Sequence, residues 1–224
     1  MAANRLPLCF AATVSIAAIL SGAPALAAEE PFSCPVVGGD LVVGLEGGTP
    51  TLDQMVATSS ATRNVAMNIF ETLVIRDENM SPTPDLAESI EVSDDGLTYP
   101  FHLREGVTFH DGKPFDADVA KFTLDRARAE GAENAQPGLF AAIGEVVVDD
   151  PSTITVRLTR PDADLPYALG WGDAVMVHPD TADANKETPV GTGPFRFVEW
   201  RRGDRVILSR NPDYWGDAPA LETA

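Results

Sequence analysis

Gly191-Thr192-Gly193-Pro194-Phe195, then Val198-Glu199-Trp200, then Arg210-Asn211-Pro212-Asp213-Tyr214-Trp215-Gly216 is the stretch whose reading decides the fold. A glycine-rich turn, a strand, a hairpin and a proline-locked aromatic corner follow one another in an order that chance does not supply. Gly191 and Gly193 predict a tight turn in which glycine reaches φ values closed to other residues, with Pro194 setting its exit. Glycines at such a turn also let another molecule approach the backbone. A phosphate loop is excluded, because no Lys follows and Phe195-Arg196-Phe197-Val198 reads as a strand where a helix would be required. Asn211 and Asp213 read as caps of a corner that Tyr214 and Trp215 plug.

Upstream, an apolar run from Pro35 to Leu45 bounded by glycines reads as a strand, and Glu46-Gly47-Gly48-Thr49-Pro50 as a loop. Thr62 is placed to cap a helix in which Val65, Ile69 and Leu73 recur four apart. Leu97, Tyr99, Phe101 and Leu103 alternate with Thr98, Pro100 and His102, which predicts a half-buried strand; its proline predicts an edge or a bulge. Asp116 is an N-cap for a helix carrying Ala117, Ala120, Phe122, Leu124 and Ala127. Val146–Val148 and Ile154–Leu158 read as strands joined at Asp149-Asp150-Pro151-Ser152. Mixed strands and helices in this order predict an α/β (mixed α+β) domain carrying an inserted subdomain.

Residues 1–28 read as an export signal: Arg5, an apolar stretch from Cys9 to Leu20, and a cleavage site near Ala27 or Ala28. The apolar stretch is shorter than the ~20 residues that span a bilayer. Cleavage would leave Cys34 as the one cysteine, either buried and inert or paired with sequence not present here. With 34 Asp and Glu against 16 Lys and Arg, the net charge is −18. That acidity argues against nucleic acid or anionic lipid as a partner. His102, His110 and His178 have no metal-site spacing, and Ser59, Ser60 and Ser209 lie in no nucleophile elbow. Trp171, Trp200 and Trp215 are flat platforms by chemistry, and core residues by the more common role.

Ala87-Glu88-Ser89-Ile90, Ser93 to Tyr99, Phe101 to Val107 and Phe109 to Phe115 together resemble the family 5 extracellular solute-binding proteins. Val147 to Asp150, Thr155 to Leu158 and Gly191 to Trp215 continue the match. Ile90 and Val119 depart from the family's usual Trp and Asp. The resemblance implies a periplasmic binding protein-like class II lobe, with a second lobe beyond the Tyr-Trp corner that this chain lacks. It maps the first lobe to residues 29–74 and 180–224, and the inserted subdomain to 75–179. It implies a non-enzymatic periplasmic receptor with no cofactor and no metal, a monomer when complete, which passes peptides or similar small solutes to an inner-membrane ABC permease. Contact with the membrane would then be only through that complex. On this mapping Glu46, Gly47 and Thr49 enter the ligand cleft and Thr192 and Gly193 face it. Glu46 would meet a cationic end of a peptide, its alternative being a solvated loop carboxylate. The chain alone is expected to bind poorly and to expose apolar surface. A periplasmic chaperone or sensory interaction module on the same fold is the competing reading, and an exported hydrolase a weaker third.

Overall fold

The apolar alternation from Thr98 to Leu103 sits at the centre of the largest sheet. The computed structural model describes residues 36–224, so the export signal and Cys34 lie outside the described residues. Strand β1 (Val74–Arg76) pairs antiparallel with β2 (Pro82–Pro84). A four-stranded antiparallel sheet follows, built from β3 (Ala87–Ile90), β4 (Thr98–Leu103), β5 (Ile143–Asp150) and β6 (Thr153–Leu158) in the order β3-β4-β6-β5. Tyr99, Phe101 and Leu103 point into the core while Thr98, Pro100 and His102 are half-exposed, as the period of two requires.

Pro100 does not mark an edge, since β4 runs between β3 and β6. A residue of an antiparallel strand turns both of its backbone polar groups toward the same neighbour. Pro100 turns toward Glu91, whose N–H it accepts at 3.0 Å, one residue past the end of β3. Its missing N–H therefore falls where the neighbouring strand has already stopped.

Helix α2 (Ala117–Arg128) starts where its cap predicts, with Asp116 Oδ1 accepting the Val119 N–H at 3.0 Å. It lays Ala117, Val119, Ala120, Leu124 and Ala127 on the sheet, and turns Phe122 toward a second core. Helix α1 (Ser60–Ala66) is capped by Ser59 rather than Thr62, whose hydroxyl instead donates to the Thr51 carbonyl at 2.8 Å. α1 also stops earlier than the four-residue spacing predicts. Ile69 and Leu73 are both fully buried but belong to different cores, so one apolar stripe becomes two inward turns of irregular chain.

The two cores divide the described chain. One gathers Leu73 and Val74, the four-stranded sheet, α2, the short helix α3 (Leu165–Leu169) and Met176. The other gathers Leu52, Val65, Ala66, Ile69, Phe70, Val175, Val177, Ala182, Phe195 and Leu208. The latter holds the hairpin of β7 (Phe195–Arg201) and β8 (Arg205–Arg210). No described helix is long and apolar enough to cross a membrane.

The strand expected from Pro35 to Leu45 is present only as a bridge. Asp40 pairs with Thr223, and Thr223 pairs in turn with Ser209. Leu41 donates to Thr223 at 3.1 Å, but Val36, Val37, Val42 and Val43 are exposed, Val42 at 92%. Extended backbone becomes a strand only where a neighbour completes its ladder, and among the described residues few do so here.

Candidate functional site

Segment Asp40–Thr49, the Asn64 and Val65 side of α1 and the β7–β8 hairpin enclose an open cavity of about 1020 Å³. Gly47 and Thr49 line it, and Glu46 is exposed on the same loop. Gly47 has a φ of 102°, a left-handed conformation open to glycine, which bends the loop over the cavity. Its walls mix apolar residues such as Val206 and Leu208 with Asn64, Asn68 and the backbone of the glycine loop. Such a surface offers backbone donors and acceptors together with apolar patches.

Thr192 and Gly193 are elsewhere. Thr192 is fully buried and its hydroxyl donates to Glu71 Oε2 at 2.7 Å. Gly193 donates its N–H to the Ile69 carbonyl at 2.9 Å. Neither glycine of this turn has a positive φ. Their small size serves another end: a Cβ on Gly191 would stand 2.0 Å from the Ile69 carbonyl oxygen, and one on Gly193 2.7 Å from it. The backbone that approaches the turn is the chain's own.

His110 closes the turn from the other side. Its Nε2 donates to the Gly193 carbonyl at 2.9 Å, and its Nδ1 accepts the Gly191 N–H at 3.3 Å. That pattern needs the neutral ring, and burial holds the imidazole pKa below its usual value. Asp111 bonds the Lys113 N–H and pairs with its ammonium at 3.2 Å, the turn role expected of Asp-Gly. A neutral histidine in the fold loses ground to its protonated unfolded form as pH falls below 6.5. His110→Ala is expected to cost about 1–3 kcal/mol at pH 7.5, because it strands the Gly191 N–H. Urea unfolding of both proteins measures it, and an unchanged midpoint would remove His110 from the turn's support.

The residue that sequence reasoning missed is Glu71. It lies in the apolar run Phe70 to Ile75, and an acid inside such a run is a legible sign of a buried, bonded carboxylate. Glu71 Oε1 accepts from the Tyr214 hydroxyl at 2.7 Å, and Oε2 from Trp215 Nε1 at 2.8 Å as well as from Thr192. One carboxylate thus ties the Gly-Thr-Gly turn to the Tyr-Trp corner. Burial raises its pKa despite these donors. Asp85, beside it, is pushed up to about 7 by burial and by the Glu71 charge. Arg104 bonds the Asp85 carbonyl at 2.7 Å and stacks on Trp215, 4.7 Å from the ring centroid. Asn211 caps the corner as expected, accepting the Asp213 N–H at 3.1 Å and donating to the Gly193 carbonyl at 3.1 Å. Among the described residues no group of three His, Cys, Asp or Glu side chains is placed to hold a metal ion.

Residues 81–224 match the family described as bacterial extracellular solute-binding proteins, family 5 Middle. The chain belongs to this family. Family 5 relatives include the glutathione-binding protein GsiB of Salmonella typhi, 32% identical over 208 residues, covering 91% of this chain and 39% of that protein. GsiB of Escherichia coli K12 is 33% identical over 187 residues, covering 82% of this chain and 36% of its own. The oligopeptide-binding protein AppA of Bacillus subtilis, solved with a nonapeptide, shares the fold at a TM-score of 0.78 and 28% identity. That likeness covers 85% of this chain and 40% of AppA. The periplasmic binding protein DppA of Helicobacter pylori, solved with the peptide STSA, gives 0.76 and 29%, over 84% of this chain and 42% of DppA. The chain therefore spans about two fifths of the length of the relatives it matches, and these relatives are binding proteins.

Proposed function

We propose that this chain forms part of the first ligand-binding lobe of an exported receptor that delivers peptides or similar small solutes to an ABC permease. The observation that carries the reading is family membership joined to a fold shared with two peptide-bound proteins. On this reading residues 1–28 are removed near Ala27 or Ala28 and the receptor works in the periplasm. Residues 29–74 and 180–224 form the lobe and 75–179 its inserted subdomain; the sheet core and the hairpin core follow this division in part, with Met55, Leu73 and Val74 joining the sheet core and Val175 and Val177 the hairpin core.

Glu46, Gly47 and Thr49 are the ligand-facing residues on this lobe, with Glu46 the partner of a cationic peptide end. Thr192 and Gly193 act from within, holding the turn and the corner in register through Glu71. Trapping by hinge closure needs a ligand that touches both lobes, since only differential affinity shifts the open and closed states. One lobe alone supplies part of the contacts.

Calorimetry against a panel of di- to pentapeptides tests this on the 224-residue chain and on the chain extended by a second lobe. The extended protein is expected to bind at least one peptide about 100-fold more tightly than the 224-residue chain, the ~3 kcal/mol that a second set of contacts readily supplies. Glu46→Gln is expected to weaken peptides with a free amino end in preference to N-acetylated ones. If neither form binds any peptide, the receptor reading fails.

A further inference from the structure

All three tryptophans carry an arginine over the ring face, and the three sites differ in one respect. Arg202 stands 4.0 Å from the Trp200 centroid and is paired with Glu187 at 2.8 Å. Arg104, over Trp215, has Glu88 at 3.8 Å and the buried carboxyls of Glu71 and Asp85 close enough to feel its charge. Trp171 carries two arginines, Arg63 at 4.8 Å and Arg76 at 4.1 Å from its centroid. Neither has a described carboxylate within salt-bridge distance. Apart from Arg160, every other described lysine and arginine has one. In a chain of net charge −18, two guanidiniums outside any described salt bridge on one indole are out of keeping with the other described arginines.

The surroundings hold the pair in place. The stem of Arg76 packs over Gly170, where a Cβ would come within 3.3 Å of Arg76 Cγ, and its Nη1 lies 3.4 Å from the Tyr167 hydroxyl. The Gln54 side chain fills the space a Cβ on Gly172 would take. Polar demand there is unmet: both amide atoms of fully buried Gln54, Arg63 Nε and Asp173 Oδ1 are without hydrogen-bond partners. Asp173 is the acid whose charge interacts with Arg63, but it is itself buried and bonded to Gln136 at 2.7 Å. Stacking uses the guanidinium face, and apart from the bond from Arg76 Nη1 to the Tyr167 hydroxyl no described side chain takes up the in-plane N–H groups of Arg63 and Arg76, the groups that receive a carboxylate.

We propose that Arg63, Arg76 and Trp171 form an anion-recognition site for a carboxylate group of the transported solute. The proposal rests on the receptor reading and narrows its cargo to carboxylate-bearing molecules. α1 joins this site to the cavity, for it carries Arg63 next to Asn64 and Val65 of the cavity wall. Nonspecific attraction cannot imitate such a site, because the protein as a whole repels anions.

The test is a titration of the 224-residue chain with glutarate and with its neutral diamide, glutaramide, following the indole N–H signals by NMR. Trp200 and Trp215, whose arginines face carboxylates, serve as internal controls. Glutarate is expected to shift the Trp171 signal saturably, with an affinity at least 10-fold above that of glutaramide. Arg63→Met and Arg76→Met keep the apolar stems and are expected to abolish that preference; Arg76→Lys keeps the charge without the fork and should retain part of it. Circular dichroism checks that each variant is folded. Equal responses to the two probes, equal shifts at all three indoles, or a preference that survives both Met variants would overturn the site. So would the absence of any shift. None of these outcomes touches the receptor reading, which stands or falls on the peptide panel.

Discussion

Gly191→Ala is expected to lower stability by about 3 kcal/mol or more, a fall in melting temperature on the order of 6–12 °C for a domain of this size. The added Cβ would sit 2.0 Å from the Ile69 carbonyl oxygen, 2.7 Å from its carbon and 2.9 Å from Phe70 Cδ1. Two of those atoms are backbone, and the same stretch accepts the Gly193 and Phe195 N–H groups at 2.9 and 3.0 Å. Nothing can yield without breaking those bonds. Gly193→Ala meets the same carbonyl at 2.7 Å and is expected to follow with a smaller loss. Gly48→Ala is the control, since no atom lies within 4 Å of its Cβ and its φ is not positive; it should stay within about 0.5 kcal/mol of the parent. Calorimetric melting of the three variants decides it. A Gly191→Ala protein that melts with the Gly48→Ala control would mean that the turn and Ile69 are not packed as described.

Asp85→Asn is expected to stabilise the protein at pH 8 and to have little effect below pH 4. The Asp85 carboxyl titrates at about 7 in the fold against 3.8 for its ordinary value, so the fold holds a proton that the unfolded chain has released. Stability from that proton is complete below pH 3.8 and is lost as pH rises through 7. Above 7 the fold carries a charged Asp85 in a poorly solvated place, beside Glu71, whose own pKa burial also raises. Asparagine keeps an acceptor for the Thr72 N–H, which Asp85 Oδ2 receives at 3.3 Å, and removes the repulsion. A shift of this size corresponds to at most ~4 kcal/mol, and partial solvation of Asp85 brings the expected gain to roughly 2 kcal/mol at pH 8. His110 acts in the opposite sense, losing stability as pH falls below 6.5. Taking the difference between variant and parent at each pH cancels that contribution. A difference that stays flat from pH 4 to pH 8 would show that the carboxylate pair is not coupled.

Much of the architecture from β3 to β6 could be read directly. The alternation in β4, the Asp116 cap of α2 and the Pro151-Ser152 hairpin between β5 and β6 were all visible, because each depends on residues within a few positions of one another. Strand order is not visible in a sequence, which is why Pro100 predicts an edge or a bulge there. The Pro35–Leu45 segment was misjudged for a related reason: its composition suits a strand, but a strand is completed by neighbours that composition does not specify.

For the candidate site the division is sharper. The Glu46-Gly47-Gly48-Thr49 loop was legible as a surface loop from its breakers, and it does border the cavity. Thr192 and Gly193 were legible as a tight turn, but the direction they face was not. Burial against Ile69 and Glu71 is a contact across more than a hundred residues of chain. The same holds for Arg63, Arg76 and Trp171, which no local pattern links.

The sequence by itself determined the family, the succession of strands and helices, and the presence of a Gly-Thr-Gly-Pro turn and a Tyr-Trp corner. Those follow from local backbone preference and from motif order. Only the tertiary structure decided what the turn and the corner are for. Glu71 binds one to the other, and it can do so only because folding removes it from water and surrounds it with three donors. A carboxylate in a linear sequence carries no record of its solvation, and solvation is what makes this one a clasp.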